Sequence, residues 1–219
     1  MELAEQTSRT PHANEPPLLF VISGPSGAGK RVALDAVRVR LGIEKVATYT
    51  TRPKRHNEED GVDYHYITDS EFRTQARAGE FLEFTRTYGS HLYASPISVM
   101  SHDRDTRHAI FELSPDGFFY LKQNSTRRVC GIFVLPLSLE ILRSRLLLRG
   151  DVPDLEDRMT TARRQIGLAW QYDFVIMNDD LNTFQSAVCG VVQARLDDNA
   201  ARSKLAGELA LDRLSDLTA

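Results

Sequence analysis

Cysteine is scarce. Cys130 and Cys189 are the only two, far apart and without metal-ligand spacing, which argues against a disulfide scaffold or a zinc finger and suits a reducing, cytoplasmic compartment. Long apolar runs are also missing: stretches such as Leu18 to Ile22 fall far short of the ~20 residues that cross a bilayer. The polar opening, Met1 to Asn14, has no apolar centre, so no signal peptide is expected. A basic excess is absent too, with 27 Lys and Arg against 30 Asp and Glu and a net charge of −3. That balance leaves no electrostatic footprint for nucleic acid or a membrane surface. Tryptophan occurs once, at Trp170, and the six histidines are scattered; none of these is assigned a role. Lysine is the rarer cation, five residues against 22 arginines. Arginine's planar fork suits phosphate, although a genomic bias would give the same excess.

What remains is an ordinary globular composition: 219 residues, 42% hydrophobic and 26% charged, enough for one domain with or without inserted subdomains. Residues 1–17 are polar and proline-bearing and read as a disordered leader. The run LLFVIS, Leu18 to Ser23, predicts a strand buried on both faces. After GPSGAGK, the apolar spacing from Arg31 to Leu41 predicts a helix ended near Gly42. Residues 46–68 are rich in Thr, Tyr, Arg and acid, with a turn signal at Asp60-Gly61. A short helix over Ser70 to Ala78 precedes the alternating segment Glu80 to Phe84. Core strands are predicted at His108 to Leu113, Val129 to Leu135 and Tyr172 to Met177. Two helices over 138–170 flank a polar hinge, Gly150 to Asp154, and a further helix spans Leu181 to Arg195 before a charged tail, 198–219. Strands alternating with helices predict an α/β fold with a parallel central sheet and helices on both faces.

The sharpest motif is G-x-x-x-x-G-K at Gly24, Gly29 and Lys30. Phosphate oxygens must meet several backbone N–H groups at once, and glycine lets the chain wrap that tightly. The helix N-terminus and the lysine then add positive charge. The residue after the lysine in this motif is ordinarily a Ser or Thr that holds Mg²⁺; here it is Arg31, and a guanidinium cannot ligate a cation. Direct coordination by the protein is lost at that point, while Arg31 stands close enough in sequence to contact a phosphate itself. In TYTTRPKR, Arg52 and Arg55 flank Pro53, and Tyr64 follows. Two forks and a phenol could serve one phosphate, although Arg-x-x-Arg in a polar loop is more often solvated surface. Glu83 in GEFLEF could, if buried, select a base edge with two donors, as guanine's N1–H and exocyclic amine present and adenine's edge does not. Alone it reads as an exposed strand residue. Arg145 and Arg149 share a helix face and could close over a transferring group, or simply be neutralised by Asp151, Asp154, Glu156 and Asp157.

Together these segments resemble the guanylate kinase family. GPSGAGK, TTRPKR followed by DGVDYHYI, GEFLEF, RLLLRG, RMTTA and YDFVIMNDDL occur in the family's order from about Leu18 to Arg195. The resemblance implies a P-loop core, a GMP-binding insertion near 47–96, a helical lid near 136–171, and Mg²⁺-assisted phosphoryl transfer from ATP to GMP. By position, Gly24, Pro25, Ser26, Gly27, Ala28, Gly29, Lys30 and Arg31 would cradle ATP, with Asn178 near its adenine side. Arg52, Arg55, Tyr64 and Tyr93 would hold the GMP phosphate. Thr48, Glu83 and Ser95 would read guanine, with Glu112 and Ser114 where the family carries D-x-D. Arg145, Arg149 and Arg158 would close over the transferring group. The G-S-H-L-Y-A-S stretch is one residue longer than the family's, and the lid hinge about two shorter, as loops tolerate. Two other readings stay open: a catalytically silent protein-binding relative, and a kinase of another phosphorylated acceptor such as a sugar phosphate.

Overall fold

The all-apolar start of LLFVIS has only one comfortable place, the middle of a sheet covered on both faces. The computed structural model puts it there; it describes residues 17–56, 58–86, 91–100, 107–148 and 154–197. The expected tail, the hinge apart from Asp154, and the leader apart from Pro17 lie outside the described residues. In chain order the elements are β1 (Leu18–Ser23), α1 (Lys30–Leu41), β2 (Glu44–Lys45), β3 (Thr48–Thr50), β4 (Tyr64–Tyr66) and α2 (Asp69–Arg77). Then come β5 (Phe81–Arg86), β6 (Leu92–Pro96), β7 (Ala109–Glu112), α3 (Pro115–Asn124) and β8 (Arg128–Pro136). Last are α4 (Leu139–Leu147), α5 (Leu155–Ile166), β9 (Phe174–Asn178) and α6 (Leu181–Leu196).

β2, β7, β1, β8 and β9 form a parallel five-stranded sheet in that order. Alternate residues of β1 serve opposite faces. Phe20 and Ile22 pack with Val37 of α1 and with Phe184, Val188 and Val192 of α6. Leu19 and Val21 pack with Phe118 and Leu121 of α3 and with Ile166 and Tyr172 beyond. Burial of each such side chain contributes about 1.5–3 kcal/mol, so the sheet and its two helical layers are where the fold is anchored.

A second, four-stranded sheet runs β4-β3-β6-β5, with β3–β4 parallel and the other pairings antiparallel. α2 closes it by setting Phe72 on Phe81, Leu92 and Ala94. The two sheets are joined at one side by only Val46 and Ala47, between β2 and β3. α4 and α5 share a small core of their own, Leu142, Leu146, Met159 and Ala162. Local chemistry sets the helix ends. Gly42 takes φ +66° and its N–H closes α1 on Arg38 O. Thr68 and Glu71 form a capping box on α2, and Ser114 followed by Pro115 opens α3. That helix is absent from the sequence expectation, as are the short strands β2, β3, β4 and β6. Among the described residues no helix is long and apolar enough to cross a membrane.

Candidate active site

β1 delivers the chain into a loop whose path requires glycine. Gly24, Gly27 and Gly29 have φ of +144°, +90° and +106°, a region costly for any side chain. A Cβ on Gly24 would stand 2.5 Å from the Val134 carbonyl oxygen, and one on Gly29 2.1 Å from Asn178 Nδ2. Asn178, buried at the end of β9, braces the loop by donating to Ala28 O at 2.7 Å. It thus acts on the loop backbone itself. α1 begins with no acidic residue in its first turn and no side-chain cap bond at Gly29, leaving its N-terminal N–H groups for an anion. Lys30 folds over the loop, donating to Gly24 O at 2.8 Å and Pro25 O at 3.0 Å, and pairs with Glu112 at 3.3 Å. Ser114 is the cap of α3, accepting from Gly117 N at 3.1 Å.

On the far side of α1, the connection between β3 and β4 gathers the predicted arginines on one carboxylate, Glu58, whose side chain is 2% exposed. Arg52 Nη2 donates to its Oε1 at 2.9 Å and Oε2 at 3.0 Å, the Arg55 N–H to Oε2 at 3.0 Å, and the Tyr66 hydroxyl to Oε2 at 2.8 Å. Arg55 Nη1 lies 3.7 Å from Oε1. One negative charge cannot neutralise two guanidinium groups, so the cluster keeps a positive surplus for an incoming anion. Burial disfavours the Glu58 charge, yet the Arg55 N–H, Tyr66 and Arg52 hold its carboxyl below the usual range. Burial likewise works against Arg52, but Glu58 and Tyr93 more than offset it and raise its pKa. The Arg52 guanidinium also lies over the rings of Tyr64 and Tyr66, at 5.6 and 5.8 Å.

Tyr64 is pushed far up from the ordinary phenol pKa by burial and by the Glu112 charge, which keeps it a neutral donor. Burial and then the bond to Glu58 push Tyr66 up to about 12. Thr48 pairs with Tyr64 across β3 and β4, and Tyr93 sits opposite Thr50, its ring 6.0 Å from that of Tyr64. The backbone sets Glu83 opposite the buried Ser95; the Glu83 side chain lies outside what is described. Between α1 and the small sheet is an open cleft lined by Arg31, Lys45, Thr48, Asp63, Tyr64 and Glu112.

The predicted arginines of α4 and α5 are placed less tightly. Leu142 and Leu146 rest against Gly27, where a Cβ would meet them at 3.2 and 3.4 Å, so Arg145 rides on a helix in contact with the P-loop. Arg158 is half-buried in α5, and Arg149 lies outside the described residues. Arg31 turns toward the small sheet, where Nη2 is 3.1 Å from Asp63. Sequence reasoning missed Glu58, Tyr66 and Lys45, and gave Asp63, which follows the TYTTRPKR cluster, no role. Tyr64 and Tyr66, two apart on one strand face, were the available signal; Glu58 had none stronger than an acid three residues past Arg55.

The guanylate kinase family model matches residues 17–195. The chain belongs to the guanylate kinase family. It is 36% identical over 180 residues to a guanylate kinase of Thermotoga maritima, covering 80% of this chain and 86% of that one. With a guanylate kinase of Coxiella burnetii it shares 31% over 196 residues, 88% and 95% of the two chains. The crystal structure of guanylate kinase from Anaplasma phagocytophilum superposes with a TM-score of 0.63 over 83% of this chain and 87% of that one, at 24% identity, which speaks for the fold. Family membership makes the chain a nucleoside monophosphate kinase.

Proposed function

We propose that the chain transfers the γ-phosphoryl group of ATP to GMP, giving ADP and GDP. One observation carries this reading: the cleft beside α1 has Glu112, paired with the lysine of the glycine cradle, and Tyr64, under an arginine turned by a buried carboxylate, in its one lining. That arrangement offers a separate cationic seat to each of two phosphate chains. The span 47–96 then serves as the GMP-binding unit and 136–171 as the lid.

A phosphate oxygen of the acceptor attacks the γ-phosphorus, and the electrons of the breaking bond pass to the β-phosphate oxygen of ADP. The acceptor is already an anion and needs little help from a base, so catalysis is positioning and charge stabilisation. Arg52, Arg55, Tyr64 and Tyr93 hold the acceptor phosphate, while Thr48, Glu83 and Ser95, with Ser114 nearby, read the base. Lys30 exchanges the Gly24 and Pro25 carbonyls for phosphate oxygens, and residues 24–30 with Asn178 fix the donor, while Arg31, expected to join them, is turned to Asp63 instead. Arg145, Arg149 and Arg158 bring cations over the group in flight.

Among the described residues no group of three or more His, Cys, Asp or Glu could hold a metal ion. Mg²⁺ with nucleotides needs only one or two carboxylates plus phosphate oxygens and water. Glu112, beside Lys30, fits that role. Mg²⁺ carried on ATP would offset the charge of its outer phosphates. A cytoplasmic location agrees with two buried, free thiols.

The test is ADP release measured across GMP, dGMP, IMP, AMP and ribose phosphates. GMP should exceed AMP in kcat/KM by about 100-fold or more, because a carboxylate facing adenine meets an acceptor, and Glu83→Gln should erase most of that margin. Equal rates with AMP, or turnover only with a sugar phosphate, would overturn the assignment; no turnover with any acceptor would leave a silent relative.

A further inference from the structure

Arg31 follows Lys30 on the first turn of α1, yet its guanidinium spans to the small sheet. Nη2 lies 3.1 Å from Asp63 Oδ1, Nη1 3.8 Å from Glu58 Oε1 and Nε 3.7 Å from Asp35 Oδ2, one turn along the helix. The two distant partners are special acids. Asp63 immediately precedes Tyr64, and Glu58 is the carboxylate that orients Arg52 and Arg55. A single side chain from the donor-binding helix therefore touches both acids behind the acceptor-binding groups.

The small sheet leaves the large one through Val46 and Ala47 and returns by the chain after β6. Two covalent connections leave free a rocking motion about the line that joins them. A cross-link at a third point removes it. Arg31 supplies that point from α1, and Lys45 of β2 approaches the same Asp63 oxygen at 3.4 Å from beside the first connection. We propose that Arg31 is a positioning residue, strapping the acceptor-binding sheet to the P-loop helix through Asp63 and Glu58 and so fixing the Arg52–Arg55 pair relative to Lys30. The proposal rests on GMP being the acceptor.

Stability should depend little on the strap. Arg31 is 47% exposed, and exposed ion pairs contribute little. Asp63 also retains Lys45 and the Glu59 N–H when Arg31 is removed. What changes is the cost of ordering the acceptor site, and that cost falls on GMP alone. A guanidinium on the donor phosphates, the role its neighbour Lys30 suggests, would instead weaken ATP.

The experiment compares wild type, Arg31→Ala, Arg31→Lys, Asp63→Asn and the Arg31→Ala/Asp63→Asn double. Calorimetry gives Kd for GMP and for a non-hydrolysable ATP analogue, and hydrogen exchange is followed on the ligand-free proteins. Each alanine or asparagine single should raise the GMP Kd about three- to tenfold, with the double no worse than the weaker single. The ATP-analogue Kd should stay within about twofold and Tm within about 3 °C. Arg31→Lys should recover most of the GMP affinity. Amides of 58–66 should exchange faster in Arg31→Ala, with β1 and β8 unchanged. Unchanged GMP affinity in Arg31→Ala, additive singles, or a parallel loss of ATP affinity would overturn the strap. A wild type that does not bind GMP would refute the acceptor assignment instead; exchange over 58–66 then decides the strap by itself, and its indifference to Arg31→Ala would end it.

Discussion

Glu58→Gln replaces the carboxylate at the centre of the arginine cluster by a group of the same shape without charge. Oε2 accepts from Arg52, the Arg55 N–H and the Tyr66 hydroxyl, and Oε1 from Arg52, with Arg31 and Arg55 nearby. However the amide turns, its NH₂ faces a guanidinium or backbone N–H, donor against donor. The residues that decide the magnitude are Arg52, 12% exposed, and Glu58, 2% exposed; Arg31 and Arg55 are too exposed to add much. Losing the charge-assisted bonds of one buried pair costs about 2–4 kcal/mol. For a chain of this length that lowers Tm by roughly 5–15 °C. An Arg52 no longer held in place should also raise the KM for GMP about tenfold or more, leaving the KM for ATP nearly unchanged. Scanning calorimetry and the coupled ADP assay read the two effects separately. Melting within about 1 °C of wild type together with an unaltered KM for GMP would show that Glu58 does not organise the cluster.

Two other outcomes follow from the same geometry. Lys30→Ala should cut kcat about 10²–10³-fold, since it removes a cation from the phosphates while leaving the GMP seat intact; a variant with near-wild-type turnover would contradict the cradle assignment. The Glu58 and Asp63 carboxyls are held below the usual range, so their stabilisation is complete above the unfolded-state pKa of about 4 and is lost as pH falls through the lower folded values. Tm measured against pH should therefore drop on acidification below about pH 4, less steeply in Glu58→Gln, and equal slopes for the two proteins would contradict it.

How much of this was legible in the chain differs by element. β1, the glycine loop and α1 could be read directly, because a doubly buried strand, a turn requiring positive φ and a helix with a glycine stop are each specified by adjacent residues. The strands β7, β8 and β9 and the helix α6 announced themselves in the same local way. α3 did not: its start depends on Ser114 capping the Gly117 N–H, and its apolar Phe118 and Leu121 are too few to show a period. β2 and β4, two and three residues long, carry no pattern of their own and exist because neighbouring strands supply their hydrogen bonds.

The candidate site divides along the same line. Lys30, Arg52, Arg55 and Tyr64 stood out because motif spacing survives in one dimension. Glu58 became a hub only when the chain from Arg52 to Tyr66 folded back and brought a guanidinium, a backbone N–H and a phenol to one buried carboxylate. Arg31 was visible as an unusual residue, and its position after Lys30 suggested a phosphate; its partner Asp63 lies in the turn before β4, 32 residues along the chain, where no local pattern points. Backbone conformation and apolar burial follow from near neighbours, and the sequence determined them. Which charges meet depends on how distant segments are brought together, and only the tertiary structure decided that.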